Sequence, residues 1–294
     1  MLKRLDIWFY VSATTMAVCF LLIVLVRPLW GIDFVGGSLI EVKAMGLVNP
    51  SEAQRVSDLL QKELHISAVV QTTLNNTFMI RISSTDDATH KAVLATLRQA
   101  RIAGDELQYE SIGPTIGQEL RSKAITTTLV VVCGILVYLA YSFRHTVGLI
   151  APWKFGVAAI YALFHDLMFV IALFVVLGRT QHIVVDTLFV TAILSLMSYS
   201  VNDTIVIFDR LREEWLKARG RNVGDIMRQA VALSITRSLN TSLTILLVLV
   251  AMLVLGGETI RWFIVALIAG TIVGTYSSIF VATPCLYMMS KRGK

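Results

Sequence analysis

The chain has 294 residues, of which 55% are hydrophobic and 16% are charged, and its formal net charge is +6. Soluble globular domains average about 25% charged residues, so the composition excludes a soluble enzyme or soluble binding domain and indicates an integral membrane protein. The positive charge does not indicate a nucleic-acid partner, because the basic residues form no patch interleaved with exposed aromatic side chains.

Six apolar stretches are long enough to cross a bilayer as helices, each close to the ~20 residues that a spanning helix needs. The first has a longer apolar run than the ~7 to 15 residues of a signal peptide, and no small-residue cleavage site follows it. We therefore expect it to be a retained helix. The six predicted spans cover residues 8–26, 122–142, 152–177, 183–207, 238–255 and 261–285.

Basic residues predict the orientation of these spans. Fourteen of the twenty-six Lys and Arg residues lie at the two termini, in the turn after the second span and in the segment after the fourth. Positively charged loops stay on the cytoplasmic side. The sequence therefore predicts a cytoplasmic N-terminus and first helix (1–28), an outward domain (29–118) and a five-helix region (119–294) with a cytoplasmic loop at 208–236 and a cytoplasmic C-terminus.

The outward segment is predicted to fold as a small α+β domain. Apolar and charged residues alternate at 40–43, which is typical of a half-buried strand. The N-P-S-E motif at 49–52 has the N-cap, proline and glutamate of a helix start. Two strand-like runs then meet at the N-N pair at 75–76, a plausible hairpin turn. A second helix and a last strand at 106–112 complete the order βαββαβ, which predicts a ferredoxin-like sandwich.

Three ionisable residues lie within or at the head of the apolar spans. Asp166 lies in the third span, Asp203 in the fourth, and Arg237 opens the fifth. An ionised side chain at bilayer depth costs ~2.5 to 3.5 kcal/mol on insertion scales, so each indicates a functional site. Further polar residues share helical faces with them: Tyr199 and Asn202 on the fourth span, and Asn240, Thr241 and Thr244 on the fifth.

We predict that these two polar faces turn towards each other or towards water, with ionised Asp203 paired to Arg237. A static ion pair that only fastens the two helices is the alternative. For Asp166 a fixed structural role is equally open, because the sequence places no partner near it beyond His165.

An ordered series of motifs resembles the SecF family of protein-export membrane proteins. It comprises G-I-D-F-V-G-G at 31–37, H-D at 165–166, the run from 199 to 210, R-S-L-N-T-S at 237–242 and G-T-Y-S-S at 274–278. One departure is Ser198, which stands where the family usually has glycine and keeps the position small.

The resemblance implies half of a resistance-nodulation-division transporter: an α-helical polytopic protein of the bacterial inner membrane, with a periplasmic domain between its first two helices. It implies that the proton-motive force completes preprotein export, without enzymatic activity, a metal or a cofactor, and with sodium still open as the coupling ion. The implied partners are a SecD-like membrane protein, the Sec translocation channel, exported preproteins and membrane lipid, but no nucleic acid. Asp203, Arg237 and Asp166 are then the expected proton-relay residues.

Two other functions share parts of this pattern. A proton-coupled efflux subunit would have the same architecture, although the outward segment is small for a domain that funnels substrates. An intramembrane aspartyl protease would need Asp166 and Asp203 to share a water molecule. In proteins that resemble such enzymes, a G-x-G-D pattern is expected at the second aspartate, whereas this chain has S-V-N-D at 200–203.

Overall fold

The computed structural model describes residues 5–46, 48–73, 75–144, 150–217 and 222–291. The elements are α1 (Leu5–Val26), α2 (Ile32–Val35), β1 (Gly37–Ala44), α3 (Pro50–Leu64), β2 (Ala68–Thr72), β3 (Thr77–Ile82), α4 (Asp87–Gln99), β4 (Ala103–Ile112), α5 (Pro114–Ser142), α6 (Pro152–Gln181), α7 (Thr187–Lys217), α8 (Val223–Leu255), α9 (Glu258–Ser277) and α10 (Thr283–Lys291). A π-helical turn, Ser278–Ala282, joins α9 to α10.

Six helical segments of the described chain are long and apolar enough to cross a membrane. They are α1, α5, α6, α7, α8 and the continuous run of α9, the π turn and α10. The predicted fold class, a six-helix membrane protein with a small α+β domain after the first helix, is confirmed.

The outer domain is built on a four-stranded antiparallel sheet with strand order β2-β3-β1-β4. The chain order of strands and helices is the predicted βαββαβ, with α3 and α4 supplying side chains to the same core as the sheet. Asn49 caps α3 as expected, because its Oδ1 accepts from the Glu52 N–H at 2.9 Å. Val56 and Leu60 on α3 are completely buried, so the amphipathic pattern of this helix identifies its inner face correctly.

The chain enters this domain through a turn that requires glycine. Gly36 and Gly37 have φ angles of 80° and 132°, a region that side chains with a Cβ rarely adopt. A Cβ on Gly37 would lie 2.4 Å from the Ile82 carbonyl oxygen. The glycines of the G-I-D-F-V-G-G motif therefore let β1 start directly beside β3.

The chain forms two compact units. One contains Pro28–Thr126 and Phe174–Val190, and the other contains Met1–Arg27, Thr127–Leu173 and Thr191–Lys294. In the second unit three aromatic rings pack in a cluster, with centroids 4.9 Å apart for Phe143 and Phe155 and 5.4 Å apart for Phe155 and Phe208.

The segment predicted as a loop at 208–236 is largely helical in its described part. Helix α7 continues to Lys217 and α8 already begins at Val223. The apolar pattern ends near the membrane boundary, but helix formation does not depend on it. Oppositely charged side chains spaced three residues apart support the extensions: Arg210 with Glu213, Lys217 with Glu214, and Arg228 with Asp225.

Candidate functional site

Asp166 of α6 is completely buried and is surrounded by hydrogen-bond donors. Its Oδ2 accepts from the hydroxyls of Ser200 on α7 and Ser277 on α9, each at 2.6 Å. Its Oδ1 lies 3.1 Å from Nδ1 of the preceding residue, His165. Two hydroxyls and an imidazole thus replace the water that this carboxylate would have outside the membrane.

Asp203 of α7 is held in a similar way by two different serines. It is 8% exposed, and its two oxygens accept from the hydroxyls of Ser238 on α8 and Ser278 of the π turn. In the described chain, Asp203 forms no ion pair and no hydrogen bond joins it to Asp166. Each aspartate therefore has its own set of hydrogen-bonding partners.

Two adjacent residues of one helical run serve both carboxylates. Ser277 contacts Asp166 and Ser278 contacts Asp203. Ser278 is the first residue of the π turn, a local widening of the helix that is frequent at functional sites. The junction between α9 and the π turn thus bridges the two aspartates.

Two glycines on α9 bring that helix close enough to α7 for this arrangement. A Cβ on Gly270 would lie 2.8 Å from Cδ1 of Leu196, and one on Gly274 would lie 3.4 Å from Cβ of Ser200. Small residues at helix interfaces permit such close approach in membranes. Because of it, hydroxyls from α7 and α9 converge on the same carboxylate oxygen of Asp166.

A second group of hydroxyls joins the same helices. The Ser242 hydroxyl on α8 lies 2.6 Å from the Thr275 hydroxyl on α9. The Tyr199 hydroxyl on α7 contacts both of them, at 3.1 Å from Thr275. Tyr199 therefore points into the bundle, as a supporting polar residue would.

The structure does not bring Arg237 to Asp203. Arg237 is exposed on α8, and the place next to Asp203 is taken by the following residue, Ser238. The expected ion pair is not formed. The remaining predicted supporting residues are also exposed on this chain: Asn202, Asn240, Thr241 and Thr244.

The predicted polar face of α8 is therefore not the buried one. The buried face carries serines spaced four residues apart: Ser234, Ser238 and Ser242. This spacing was visible in the sequence, because residues four apart lie on one side of a helix. A charge-based search passes over it, since serine is neutral. Of these three serines, Ser238 and Ser242 contact other site residues. The sequence prediction also did not include Ser200, Thr275, Ser277 and Ser278.

A separate polar cluster lies in the outer unit, where the α6–α7 connection meets the start of the outer domain. The Gly31 N–H donates to the Val185 carbonyl at 2.8 Å. Oδ2 of Asp33 accepts from the backbone N–H and the hydroxyl of Thr187, at 2.8 and 2.6 Å. The aspartate of the G-I-D-F-V-G-G motif thus caps the start of α7.

Two further charged groups belong to this cluster. Burial raises the pKa of the Asp186 carboxyl above its ordinary value, although the hydrogen bond from the Phe189 N–H opposes the shift. Burial likewise lowers the pKa of the Arg81 guanidinium to about 10, against the attraction of Asp186 and Asp33. Desolvation is therefore the dominant influence on both groups.

The arrangement in the membrane helices is suited to proton exchange. Carboxylates held by hydroxyls can be neutralised in place, because a protonated carboxyl group can donate back to a serine oxygen. Within the part of the chain that the structure describes, no three His, Cys, Asp or Glu side chains are grouped to hold a metal ion.

In the described residues, six helices long and apolar enough to span a membrane, an inserted ferredoxin-like domain and two carboxylates buried among hydroxyls define a multi-pass membrane protein with a polar site inside its helix bundle. Residues 90–292 match the family model described as Protein export membrane protein SecD/SecF, C-terminal. The chain is 34% identical over 265 residues to protein translocase subunit SecF of Thermobaculum terrenum, which covers 86% of this chain and 82% of that protein. It is 36% identical over 258 residues to SecF of Anaerolinea thermophila, with 87% and 82% covered. The chain belongs to the SecF family of bacterial inner-membrane proteins.

Two solved structures are similar in fold. The crystal structure of SecDF from Thermus thermophilus, described as a translocon-associated membrane protein, has a TM-score of 0.86 and 28% identity. That comparison covers 100% of this chain and 38% of the SecDF chain. SecDF in its super-membrane-facing form has a TM-score of 0.68 and 30% identity, with 97% and 38% covered. The present chain therefore corresponds to a little over one third of SecDF.

Proposed function

We propose that this chain is an export subunit that uses the proton-motive force, together with a SecD-like partner, to complete the translocation of preproteins through the Sec channel. The observation that carries the proposal is Asp203: a carboxylate buried in a spanning helix and held by hydroxyls from two other helical segments. Membership in the SecF family supports export as the process that this site serves.

The exposed polar residues of α7 and α8 support a membrane partner. Asn202, Arg237, Asn240 and Thr241 are exposed on this chain, yet polar groups in a bilayer are stable only against protein or water. A homologous six-helix unit is the occupant that we propose. The similarity to SecDF, of which this chain covers 38%, supports it.

A proton would act on this site by changing what Asp203 accepts. The ionised carboxylate attracts the Ser238 and Ser278 hydroxyls, and protonation weakens both hydrogen bonds. On α8, Arg237 immediately precedes Ser238, the partner of Asp203, and lies about 100° from it around the helix. In our proposal a rotation of α8 can bring Arg237 to the ionised carboxylate in place of Ser238, whereas protonation removes the attraction for this cation and favours the arrangement with Ser238. Proton occupancy thus selects one of two helix arrangements.

The energy available is sufficient for such a two-state element. One proton crossing the membrane potential supplies roughly 2.3 kcal/mol per 100 mV. A difference of about 1.4 kcal/mol already changes an equilibrium tenfold. We propose the orientation that the basic residues predict, with both termini cytoplasmic and the outer domain periplasmic, so that Asp203 lies in the cytoplasmic half of its span.

The test is reconstituted export with the partner and the channel, driven by ATP alone or by ATP with an added proton gradient. Asp203→Asn removes the charge at nearly constant size, so it should assemble normally and lose the gradient-dependent increment. Asp203→Glu should keep part of it. The matched control is Asp209→Asn, the same change on α7 at an exposed position. Full retention of the increment by Asp203→Asn would show that Asp203 is only structural.

A further inference from the structure

The two buried aspartates are connected through neighbouring residues of one chain segment. Ser277 donates to Asp166 at 2.6 Å and Ser278 donates to Asp203. Both serines are completely buried. Any shift of this segment that lengthens one of the two contacts must therefore also change the environment of the other.

Each of these hydroxyls has a second acceptor on its own helix. The Ser277 oxygen lies 3.1 Å from the Gly274 carbonyl, and the Ser278 oxygen lies 3.0 Å from the Thr275 carbonyl. A serine hydroxyl carries one proton, so it donates either to its aspartate or to the carbonyl three residues earlier. An ionised aspartate favours the first choice, and a protonated aspartate, which itself donates, favours the second.

The backbone at this point is also irregular. The π turn begins at Ser278, and the Thr283 hydroxyl donates to the Ser278 carbonyl at 3.2 Å across it. Such turns insert one extra residue into a helix and are less regular than the surrounding α-helix. The element that carries both serines is thus one that can change its hydrogen bonding locally.

Resting on the proposed function, we propose that Ser277 and Ser278 are positioning residues that couple the two carboxylates, so that the hydrogen bonding of Asp166 controls how readily Asp203 takes up a proton. Asp166 then acts on Asp203 indirectly. The protonation of either aspartate changes the hydrogen bonding at the start of the π turn.

The titratable and charged groups around the pair are few among the described residues. His165 of α6 contacts Asp166, and Tyr276 of α9 has its ring 6.4 Å from that imidazole. On α7 the Tyr199 hydroxyl contacts Ser242 and Thr275 instead of either aspartate. On α8 Arg237 is exposed. His165 is therefore the group whose charge must be held constant, and all variants are compared at one fixed pH.

The test measures the reactivity of each aspartate towards dicyclohexylcarbodiimide in the complete complex with its partner, in proteoliposomes. This apolar carbodiimide reacts with protonated carboxyl groups, and mass spectrometry of peptides separates the products at Asp166 and Asp203. Ser278→Ala removes a donor to the ionised form of Asp203 and should raise its labelling rate roughly three- to tenfold.

The decisive variant is Ser277→Ala, which does not touch Asp203. We expect it to raise the labelling rate of Asp203 by about twofold or more, the size of a coupling between members of one network. Ser277→Thr keeps the hydroxyl and should restore the wild-type rate. Ser234→Ala is the matched control, because within the described residues that buried hydroxyl donates to the Ala230 carbonyl alone.

An unchanged rate at Asp203 in Ser277→Ala overturns the coupling. If that variant does not assemble, Ser277→Cys, with nearly the same volume and a much weaker donor, is judged by the same criterion. The result is independent of export. Coupling without any effect of Asp203→Asn on gradient-driven export would refute the proposed function alone, and the reverse result would refute the coupling alone.

Discussion

Helix α3 of the outer domain and the spanning helix α8 differ in the residues that they bury. In α3 the buried positions are apolar, Val56 and Leu60. In α8 they include Ser234, Ser238 and Ser242, while Leu239, Leu243 and Leu247 are 51%, 58% and 65% exposed on this chain. In water the hydrophobic effect turns apolar side chains inward. In lipid that force is absent between helices, and small or polar residues form the contacts.

The largest effect that this comparison predicts is in the outer domain. Leu60→Ala should destabilise it by ~2 to 5 kcal/mol, because Leu60 is completely buried and its loss leaves a cavity. Hydrogen exchange of β1 and β3 amides in the full-length protein would measure the change. Leu247→Ala on α8 is the control, and it should cause little loss of stability because Leu247 is exposed on this chain. Equal losses of stability from the two substitutions would contradict the difference between the two regions.

An intermediate effect is expected from a serine in the membrane. Ser238→Ala removes a hydroxyl that donates to ionised Asp203, and hydrogen bonds to charged groups contribute ~1.5 to 3 kcal/mol. The neighbouring Leu239→Ala, which removes more apolar surface from an exposed position, should be milder. Thermal unfolding of both variants in one detergent would compare them. A greater loss of stability from Leu239→Ala would contradict the finding that the serines, and not the leucines, form the stabilising contacts of α8 within this chain.

The smallest effect concerns Asp186 in the outer unit. Since burial raises the pKa of Asp186, its ionised form is disfavoured in the folded state, and this group's contribution to stability is present at low pH and lost as the pH rises through the raised pKa. Asp186→Asn imitates the neutral form and retains an oxygen for the Phe189 N–H. It should therefore unfold at a higher temperature than wild type at neutral pH.

The difference should shrink as the pH falls below the raised value. Thermal unfolding of both proteins at several pH values would measure it, with the stability of all other groups cancelling in the comparison. A gap that widens towards acid would mean that the Asp186 charge stabilises the folded outer unit.

The same contrast explains which features were predictable from the sequence. The cap at Asn49, the order of the strands and the six spans depend on local patterns, and the structure confirms them. The side of α8 that faces inward does not depend on such a pattern, because a helix that is apolar all round has no hydrophobic face that would orient it in lipid. The charge of Arg237 led to the prediction that it pairs with Asp203, whereas the neighbouring Ser238 makes the contact with that aspartate.

Other features depend on contacts between distant parts of the chain. Asp166 and Asp203 were identified from their burial cost alone, and both are held inside the bundle. Their serine partners come from three other places in the sequence. The π turn at Ser278 has no recognisable local motif, so only the assembled bundle shows that two adjacent serines reach two different aspartates.

The central claim, that Asp203 takes up a proton inside the membrane, is tested most directly by infrared difference spectroscopy on the complex in proteoliposomes as the pH is stepped. A protonated carboxyl group has a carbonyl stretching band that the ionised form lacks. We predict that this band grows on acidification in wild type and in Asp209→Asn, and that its main component is lost in Asp203→Asn. A band of unchanged size in Asp203→Asn would contradict the account.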